Sequence, residues 1–532
     1  MAEWSNAAVL KTVEPKGSGG SNPSLSATRK EKMTSVFINP NLLVQRNDPF
    51  TTGIVYMPIG LASTVASVQM HGFKVKVIDS FGEAPKKARI IGKFMYLGIN
   101  TDEIIDLLPS DVSLICIYAN QLINHSSISE IIIALKKTYS NIPILMLENT
   151  QAVTAYDLRS VADEFLKIGV DYVLTGEAEK RLPIIMKALK NNESVAKCDG
   201  LYGKDFSNPA STVIEDLDSL HMPAWDKFPI KNYWGLKHAH GPLTSKKYLP
   251  ILTSRGCPYK CKFCVVPATN FLKWRGRSAT NVVDEIEYFQ KEFDVNEFHL
   301  EDLDPTVNDK RTKEICEEII RRKIIITWKI VAGTKVETMR SEETVALMAK
   351  AGCTYISISP ESGSPRIMKL MEKPFKVNHA VKLISKMNKV HIKSQACFVL
   401  GYPGETDEDR KMTRVLAKKL TLGGLDEIAI FIISPVPGSK IFDEFKNIPV
   451  LSELNFTPTW RDDYRKLNHF RIGLYRSFLL WKFLHFPMKI IRQCYNFMLG
   501  RFETKMEMVP YKGLLWKRLE YLSNKKNKVL EK

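Results

Sequence analysis

"YLPILTSRGCPYKCKFC", residues 248–264, joins an apolar run to a loop that holds Cys257, Cys261 and Cys264 within eight positions. The apolar run predicts a buried strand, and the cysteines follow at its carboxyl end. Four thiolates close a structural zinc or iron–sulfur site. No fourth cysteine or suitable histidine lies nearby in the sequence, since the nearest cysteine, Cys316, is on a predicted helix. Three ligands leave one metal position open, and an open position lets a metal site bind a reactant.

The chain on both sides of this loop alternates strands with helices. About six strand–helix units follow one another between residues 250 and 447, whereas a full eight-fold barrel takes about 250 residues. The pattern therefore predicts a partial TIM barrel, (β/α)6. Function in such barrels gathers at the carboxyl ends of the strands, which is where the three cysteines are predicted to lie.

Residues 33–203 predict a separate α/β domain. Runs such as SVFIN, VSLICIY and IPILMLE read as buried strands between helices, which indicates a doubly wound, Rossmann-like parallel sheet. Ligands bind such sheets beyond the carboxyl ends of the strands. Six polar or turn-forming residues stand at those ends: Asn39, Tyr118, Glu148, Thr175, Gly176 and Glu177. No G-x-G-x-x-G follows the first strand, so dinucleotide binding is disfavoured.

The cysteine loop, with the aromatic Phe263 before its last cysteine, resembles the signature of the radical S-adenosylmethionine (SAM) enzymes. The resemblance implies a [4Fe–4S] cluster on Cys257, Cys261 and Cys264 whose open iron binds SAM. It also implies SAM contacts at later strand ends. In EFHLEDLD, SISPESGSPRIMK and FVLGYPGETDED these are Glu301, Asp302 and Asp304, then Glu361 and Ser362, then Gly401 and Gly404. EFHLEDLD departs from the family's Gly-Gly-Glu form, so its three acidic residues stay open as alternatives.

The whole of residues 34–450 resembles the radical SAM subfamily that carries a cobalamin-binding domain. That resemblance makes the six strand-end residues of the first domain candidate cobalamin neighbours. The D-x-H-x-x-G motif is absent, so we expect cobalamin without a protein histidine on cobalt, and a domain that has lost cobalamin remains an alternative. Members of the subfamily methylate unactivated carbon or catalyse oxidative ring closure. The implied chemistry is reductive cleavage of SAM to a radical that abstracts a substrate hydrogen, with the methyl group carried by cobalamin.

The sequence thus predicts a cobalamin-dependent radical SAM enzyme that methylates a small-molecule or lipid-like substrate. An oxidoreductase or cyclase on the same scaffold is one alternative, and a non-catalytic iron–sulfur or RNA-binding protein is another. The predicted enzyme needs an external electron donor such as flavodoxin or ferredoxin. No nucleic-acid partner is expected. Nine cysteines, an odd number, in a chain with no secretory leader indicate a reducing, cytoplasmic compartment.

The two remaining predicted regions are a connector over residues 204–249, which is rich in proline, and a helical basic region over 448–532. From Asn447 onward the chain has 17 Lys and Arg against 7 Asp and Glu, within a net charge of +18 for the whole chain. No uncharged run there approaches the roughly 20 residues that span a bilayer. Its aromatic and basic residues fit either a helix lying on the inner face of the membrane or a helical cap over the barrel.

Residues 1–32 show no apolar period and no leader pattern. The stretch around Gly20-Ser21-Asn22-Pro23 back-translates into a sequence that resembles the T-arm of a tRNA gene. We therefore expect a non-native extension with translation starting at Met33. The alternative is a genuine disordered tail.

Overall fold

A computed structural model gives the backbone of residues 33–530 and the side-chain surroundings of residues 33–525. The predicted extension over residues 1–32 lies outside the described residues. Among the helices of the described part, none is long and apolar enough to cross a membrane.

Residues 33–207 form ten strands and six α-helices. The strands are β1 Thr34–Asn39, β2 Leu42–Gln45, β3 Lys74–Asp79, β4 Ala88–Ile91, β5 Phe94–Leu97, β6 Val112–Ala119, β7 Ile144–Glu148, β8 Tyr172–Leu174, β9 Leu201–Gly203 and β10 Phe206–Ser207. The helices are α1 Ile59–Met70, α2 Ser80–Glu83, α3 Thr101–Asp106, α4 His125–Thr138, α5 Ala162–Lys167 and α6 Ala178–Lys190.

The first sheet has the order β10-β9-β8-β7-β6-β1-β3. Its strands from β8 to β3 are parallel, and an antiparallel hairpin of β9 and β10 extends one edge. Consecutive residues of β6, such as Ile115, Cys116 and Ile117, are all fully buried. Both faces of the central strands are therefore covered, which is why those strands are continuous apolar runs rather than alternating ones. The predicted doubly wound domain is confirmed.

Local details differ from the sequence prediction in two places. The stretch SSISEIIIALKKTY, residues 126–139, predicts a helix with a serine N-cap. That cap is wrong, because α4 begins at His125, and the Ser127 hydroxyl instead accepts a hydrogen bond from the Asn41 backbone N at 3.2 Å. The stretch AYDLRSVADEFLKIG, residues 155–169, predicts one long helix, but only α5 is α-helical there. The first half of that stretch is held as a turn by Asp157, whose carboxylate accepts a hydrogen bond from the Arg159 backbone N.

Residues 208–447 contain the connector and the barrel. The connector holds the short helix α7 Ile230–Trp234. The strands that follow are β11 Leu249–Ile251, β12 Ser254–Arg255, β13 Arg275–Gly276, β14 Glu297–Leu300, β15 Thr327–Thr334, β16 Cys353–Glu361, β17 Lys393–Leu400 and β18 Glu427–Ile432. The helices are α8 Val266–Asn270, α9 Ala279–Phe293, α10 Asp309–Arg321, α11 Glu342–Lys350, α12 Pro365–Leu370, α13 Val377–Lys389 and α14 Asp407–Leu422.

The barrel sheet has six parallel strands in the order β11-β14-β15-β16-β17-β18. This confirms the predicted partial barrel. The short strands β12 and β13 form an antiparallel ribbon outside this sheet, and the cysteine loop lies between them. Three helices complete the described chain: α15 Tyr464–His485, α16 Pro487–Leu499 and α17 Lys505–Leu530. The predicted helical C-terminal region is confirmed.

Candidate active site

The cysteine loop leaves the barrel just after β11 and returns through α8. Cys257, Cys261 and Cys264 are all half-buried and none forms a disulfide. The loop turns tightly, since the Cys264 backbone N donates to the Cys261 carbonyl at 3.1 Å. Gly256 enters the loop with φ +79°, and a Cβ there would lie 1.9 Å from the Lys273 carbonyl oxygen. Only glycine fits this entry without moving the backbone.

The three thiols form one electrostatic group. Burial raises the pKa of Cys257 to about 12 and also raises the pKa of Cys261 and Cys264. Cys261 adds to the raised pKa of Cys257 and Cys264, whereas Lys373 opposes the shift at all three thiols. In the described residues, no three His, Cys, Asp or Glu side chains are grouped around a point that could hold a single ion. In an iron–sulfur cluster each cysteine binds a different iron. The cysteines of a cluster therefore lie farther apart than the ligands of a single metal ion. Three thiols beside a buried cation therefore fit an iron–sulfur cluster.

The three acidic candidates after β14 have different surroundings. Asp302 is fully buried and accepts hydrogen bonds from the Thr253 backbone N at 3.0 Å and the Ser254 hydroxyl at 2.6 Å, so it holds the start of the cysteine loop. Asp304 is also buried and accepts from the Thr334 hydroxyl at 2.6 Å. Glu301 is only partly buried, and its Oε2 lies 2.7 Å from His240 Nδ1. Among the three acidic candidates, Glu301 is therefore the one that is not fully buried.

Glu361 ends β16 beside the cysteine loop. It is a buried non-glycine residue with φ +56°, a conformation that concentrates at functional sites. Its carboxylate pairs with Lys373 Nζ at 2.5 Å. Ser362 lies directly after it, fully buried, with its hydroxyl 3.2 Å from that of Thr413. Phe263 packs in a small apolar cluster with Met371, and Lys373 lies 5.9 Å above its ring.

The two glycines after β17 are not equivalent. Gly401 has φ +75°, and a Cβ there would lie 2.5 Å from Leu467, so protein already covers it. Gly404 has φ +79° and no heavy atom within 4 Å of its Cβ position. Open space for the close approach of a ligand is therefore found at Gly404.

The residues proposed from the first domain divide into two groups. Asn39, Glu148, Thr175 and Gly176 follow the carboxyl edge of the sheet, but their polar atoms are used within the protein. Glu148 accepts hydrogen bonds from the backbone N of Leu158 at 2.8 Å and of Gly176 at 2.5 Å, and its burial raises its pKa to about 7. Asn39 donates to Asp79 at 2.8 Å, and the Thr175 hydroxyl donates to the Gly200 carbonyl at 3.0 Å. These hydrogen bonds stabilise the carboxyl edge of the sheet.

Tyr118 and Glu177 point elsewhere. The Tyr118 hydroxyl is buried against the start of α1, where a Cβ on Gly60 would lie 2.5 Å from it. Glu177 faces the ribbon of the barrel domain, where Arg275 Nη1 lies 2.8 Å and Arg255 Nη1 3.6 Å from its carboxylate oxygens. The structure therefore places Glu177 in a domain interface.

Three buried polar atoms without a partner lie near the carboxyl edge of the sheet, where it meets α8. They are Gln151 Oε1, Thr154 Oγ1 and Asn270 Oδ1, and the Asn270 amide donates to the Thr150 carbonyl at 2.8 Å. Buried polar atoms normally have hydrogen-bond partners. Unpaired acceptors fit a ligand rich in amide N–H groups, such as those of the amide side chains around the corrin ring of cobalamin.

A second polar group, which sequence reasoning missed, lies between the domains. His240 Nδ1 is 2.7 Å from Glu301 Oε2, and the Tyr56 ring centroid is 4.4 Å from that of His240. Cys397 lies close enough to add to the raised pKa of Tyr56, and Lys505 from α17 lies within electrostatic range of Glu301 and Cys397. Each of the five side chains is half-buried. No sequence pattern indicates that these five residues lie together, because each comes from a different segment of the chain.

Residues 251–417 match the model of the Radical SAM superfamily. The chain is a radical SAM enzyme. Cytidylyl-2-hydroxyethylphosphonate methyltransferase from Streptomyces wedmorensis is 25% identical over 457 residues, which cover 77% of this radical SAM enzyme and 81% of that relative. Anaerobic magnesium-protoporphyrin IX monomethyl ester cyclase from Rubrivivax gelatinosus is 27% identical over 351 residues, or 62% of this chain and 60% of the cyclase.

A solved structure shows the same two-domain fold. The radical SAM methyltransferase TsrM from Kitasatospora setae, with cobalamin and a [4Fe–4S] cluster bound, has a TM-score of 0.59 at 16% identity. The match covers 78% of this radical SAM enzyme and 74% of that chain. The predicted family, a Rossmann-like domain followed by a radical SAM barrel, is confirmed.

Proposed function

We propose that this radical SAM enzyme is a cobalamin-dependent methyltransferase acting on an unactivated carbon. The observation that carries the proposal is the position of three half-buried thiols at the end of the first barrel strand, in one compact unit with a Rossmann-like sheet. The methyltransferase from Streptomyces wedmorensis, which aligns over most of both chains, supports methyl transfer. TsrM, which has the same fold and binds both groups, supports the cofactor assignment.

The roles of the residues follow from their surroundings. Cys257, Cys261 and Cys264 hold the cluster, while Glu301, Glu361 and Gly404 line the SAM side. The remaining SAM candidates, Phe263, Asp302, Asp304, Ser362 and Gly401, support these positions through the contacts described. When bound, the cluster supplies an electron to SAM, and cobalamin carries the methyl group.

The edge of the Rossmann-like sheet forms the cobalamin side in this proposal. Asn39, Tyr118, Glu148, Thr175 and Gly176 shape that edge, and the unpaired acceptors beside α8 bind amide groups. The polar group of Tyr56, His240, Glu301, Cys397 and Lys505 takes its members from the Rossmann-like domain, the connector, the barrel and α17. A small-molecule or lipid-like substrate placed there would contact both halves of the enzyme while water is excluded.

The test is SAM cleavage and cobalamin content in protein purified without oxygen from cells supplied with hydroxocobalamin. We expect near-stoichiometric cobalamin and formation of 5′-deoxyadenosine in the presence of a reductant. Cys261→Ala should reduce that product by about two orders of magnitude or more. Cys494→Ala is the matched control, since Cys494 is exposed on α16 and should leave cleavage unchanged. Cleavage that survives Cys261→Ala contradicts the cluster assignment.

A cyclase or other oxidoreductase is the second candidate, because the cyclase from Rubrivivax gelatinosus aligns over three fifths of either chain. SAM labelled in its methyl group separates the two. Label that appears in the product supports methyl transfer. Protein that cleaves SAM but retains no cobalamin and transfers no label supports oxidation or cyclisation.

The proposal includes the cellular setting. A flavodoxin or ferredoxin type of donor supplies the electrons, and the enzyme works in the cytoplasm. The C-terminal region, residues 448–532, makes a peripheral contact with the inner face of the membrane. An exposed apolar surface on α15 and α16 supports that contact.

A further inference from the structure

The helices α15 and α16 differ in polarity between the side that faces the barrel and the side that faces away from it. Toward the barrel, Leu474 and Phe478 of α15 are fully buried. Beyond them the contacts with the barrel become polar, since Lys482 Nζ donates to the Asp426 carbonyl at 2.5 Å and Lys489 Nζ lies 3.0 Å from Asp426 Oδ1. Lys482 also donates to Gln493 at 2.7 Å, so the two helices lie side by side. Basic side chains thus anchor this helix pair to the protein.

The side that faces away from the barrel is apolar. Leu484 is 63% exposed, Met488 70% and Met498 74%. The exposed apolar residues, which we call the outer face, are Leu480, Phe483, Leu484, Met488, Ile491, Tyr495, Met498 and Leu499. A helix that only caps a barrel has its apolar residues inside and its charges outside. The outer face reverses that arrangement, and apolar patches of this kind mark interaction sites.

The charge around the outer face is mainly positive. Residues 464–502 contain eight Lys and Arg and no Asp or Glu. Arg476, Arg492 and Arg501 are exposed at or beside the face, and the buried Glu503 pairs with Arg492 at 2.6 Å and with Arg501 at 3.8 Å. Two copies of such a surface would bring like charges together, which is unfavourable, whereas anionic lipid headgroups complement it. Helices with basic residues around an apolar face lie in the plane of the bilayer interface.

We propose that the outer face of α15 and α16 docks on an anionic lipid bilayer, with its apolar side chains in the boundary between headgroups and acyl chains. This deepens the peripheral contact in the proposed function, and it does not depend on the reaction that the enzyme catalyses. Since the apolar residues lie on the side opposite the barrel, docking leaves the contacts between these helices and the barrel unchanged.

The test is co-sedimentation of the full chain with vesicles of phosphatidylcholine, with and without about 30% phosphatidylglycerol. We expect binding to the anionic vesicles, much weaker binding to the neutral ones, and weakening as salt is raised. The double variant Leu484→Asp/Ile491→Asp should reduce the bound fraction at least about tenfold. The matched control is Met70→Asp/Ile184→Asp, which places the same charges on exposed apolar positions of α1 and α6 and should bind as the wild type does.

Two results would overturn the inference. One is equal binding by the outer-face variant and the wild type, or no binding to anionic vesicles. The other is a dimer, seen by sedimentation velocity, that the outer-face variant abolishes while vesicles bind neither protein. SAM cleavage measured on the same preparations keeps this outcome separate from a failure of the proposed reaction.

Discussion

The Glu361 carboxylate and the Lys373 ammonium group lie 2.5 Å apart beside the cysteine loop, and both side chains are almost fully buried. Burial alone would lower the pKa of Lys373, but Glu361 and then the neighbouring cysteines raise it above its ordinary value. Lys373 therefore stays charged. Removing one partner leaves the other as an uncompensated buried charge, which costs more than the pair itself contributes.

We expect Lys373→Met to lower the free energy of unfolding by about 3 kcal/mol or more, and Lys373→Met/Glu361→Leu to recover part of that loss. Urea denaturation of the protein without cofactors measures both. Lys247→Met is the control, because Lys247 and Asp294 form an exposed pair that contributes about 1 kcal/mol or less. Equal losses in the buried and exposed pairs would contradict this account.

The contact partners of single residues are what the sequence predicted least well. Glu361 could be predicted because it ends a strand at the functional edge of the barrel. Its partner Lys373 could not be predicted. Lys373 follows α12, and the sequence around it does not indicate which residue it contacts. Glu177 was predicted beside cobalamin for the same positional reason as Glu361, but it faces Arg275, since two arginines of the other domain neutralise it there.

The ribbon of β12 and β13 is joined to α6 by buried charges. Arg255 Nη2 lies 2.6 Å from Glu179, and Arg275 Nη1 lies 2.8 Å from Glu177 at the N-terminus of α6. Less than a tenth of each of these four side chains is exposed. Since the cysteine loop begins directly after Arg255, the position of that loop is tied to the Rossmann-like domain.

A double-mutant cycle measures the coupling free energy between Arg255 and Glu179. We expect Arg255→Met and Glu179→Leu each to lower the free energy of unfolding by about 3 kcal/mol, and the double variant to lose clearly less than the sum. The Lys411 and Glu408 pair on α14, which is largely exposed, supplies a control cycle in which the two losses should be close to additive. Additive losses in the buried cycle would show that the ribbon and α6 are not coupled.

Helices and strands were predicted correctly where the pattern of apolar residues in the sequence was strong. The central parallel strands of both sheets were found because they are buried on both faces. The antiparallel sheet β2-β5-β4 was missed, since β4 is partly exposed and its pairing with β5 depends on tertiary contacts. The ribbon was missed for a related reason, because two-residue strands carry no period.

At the scale of the molecule, α17 connects both domains. Its start contacts the barrel, where the Met506 backbone N donates to Glu427 at 3.0 Å. Its middle contacts the Rossmann-like domain, where Lys512 Nζ donates to the Thr52 carbonyl at 2.7 Å. Burial lowers the pKa of Lys512 to about 7, and Asp48 opposes this only in part. The helix therefore holds the two domains together through an amine that loses its proton near neutral pH.

The consequence is a specific pH dependence. Between pH 7 and the ordinary lysine pKa, the unfolded state binds more protons than the folded state, so stability rises with pH. We expect the free energy of unfolding to gain about 2 kcal/mol more in the wild type than in Lys512→Met from pH 7 to pH 9. Urea denaturation at the two pH values measures this difference. Parallel curves for the two proteins would show that Lys512 is charged in the fold.

The position of α17 at the end of the described chain also orders events during synthesis. Domains fold as units while the chain emerges, the N-terminal one first. The Rossmann-like domain and the barrel are both synthesised before α17, and the segment that joins them leaves the ribosome after them. The nascent enzyme therefore passes through a stage in which the chain of both domains is complete and α17 does not yet connect them.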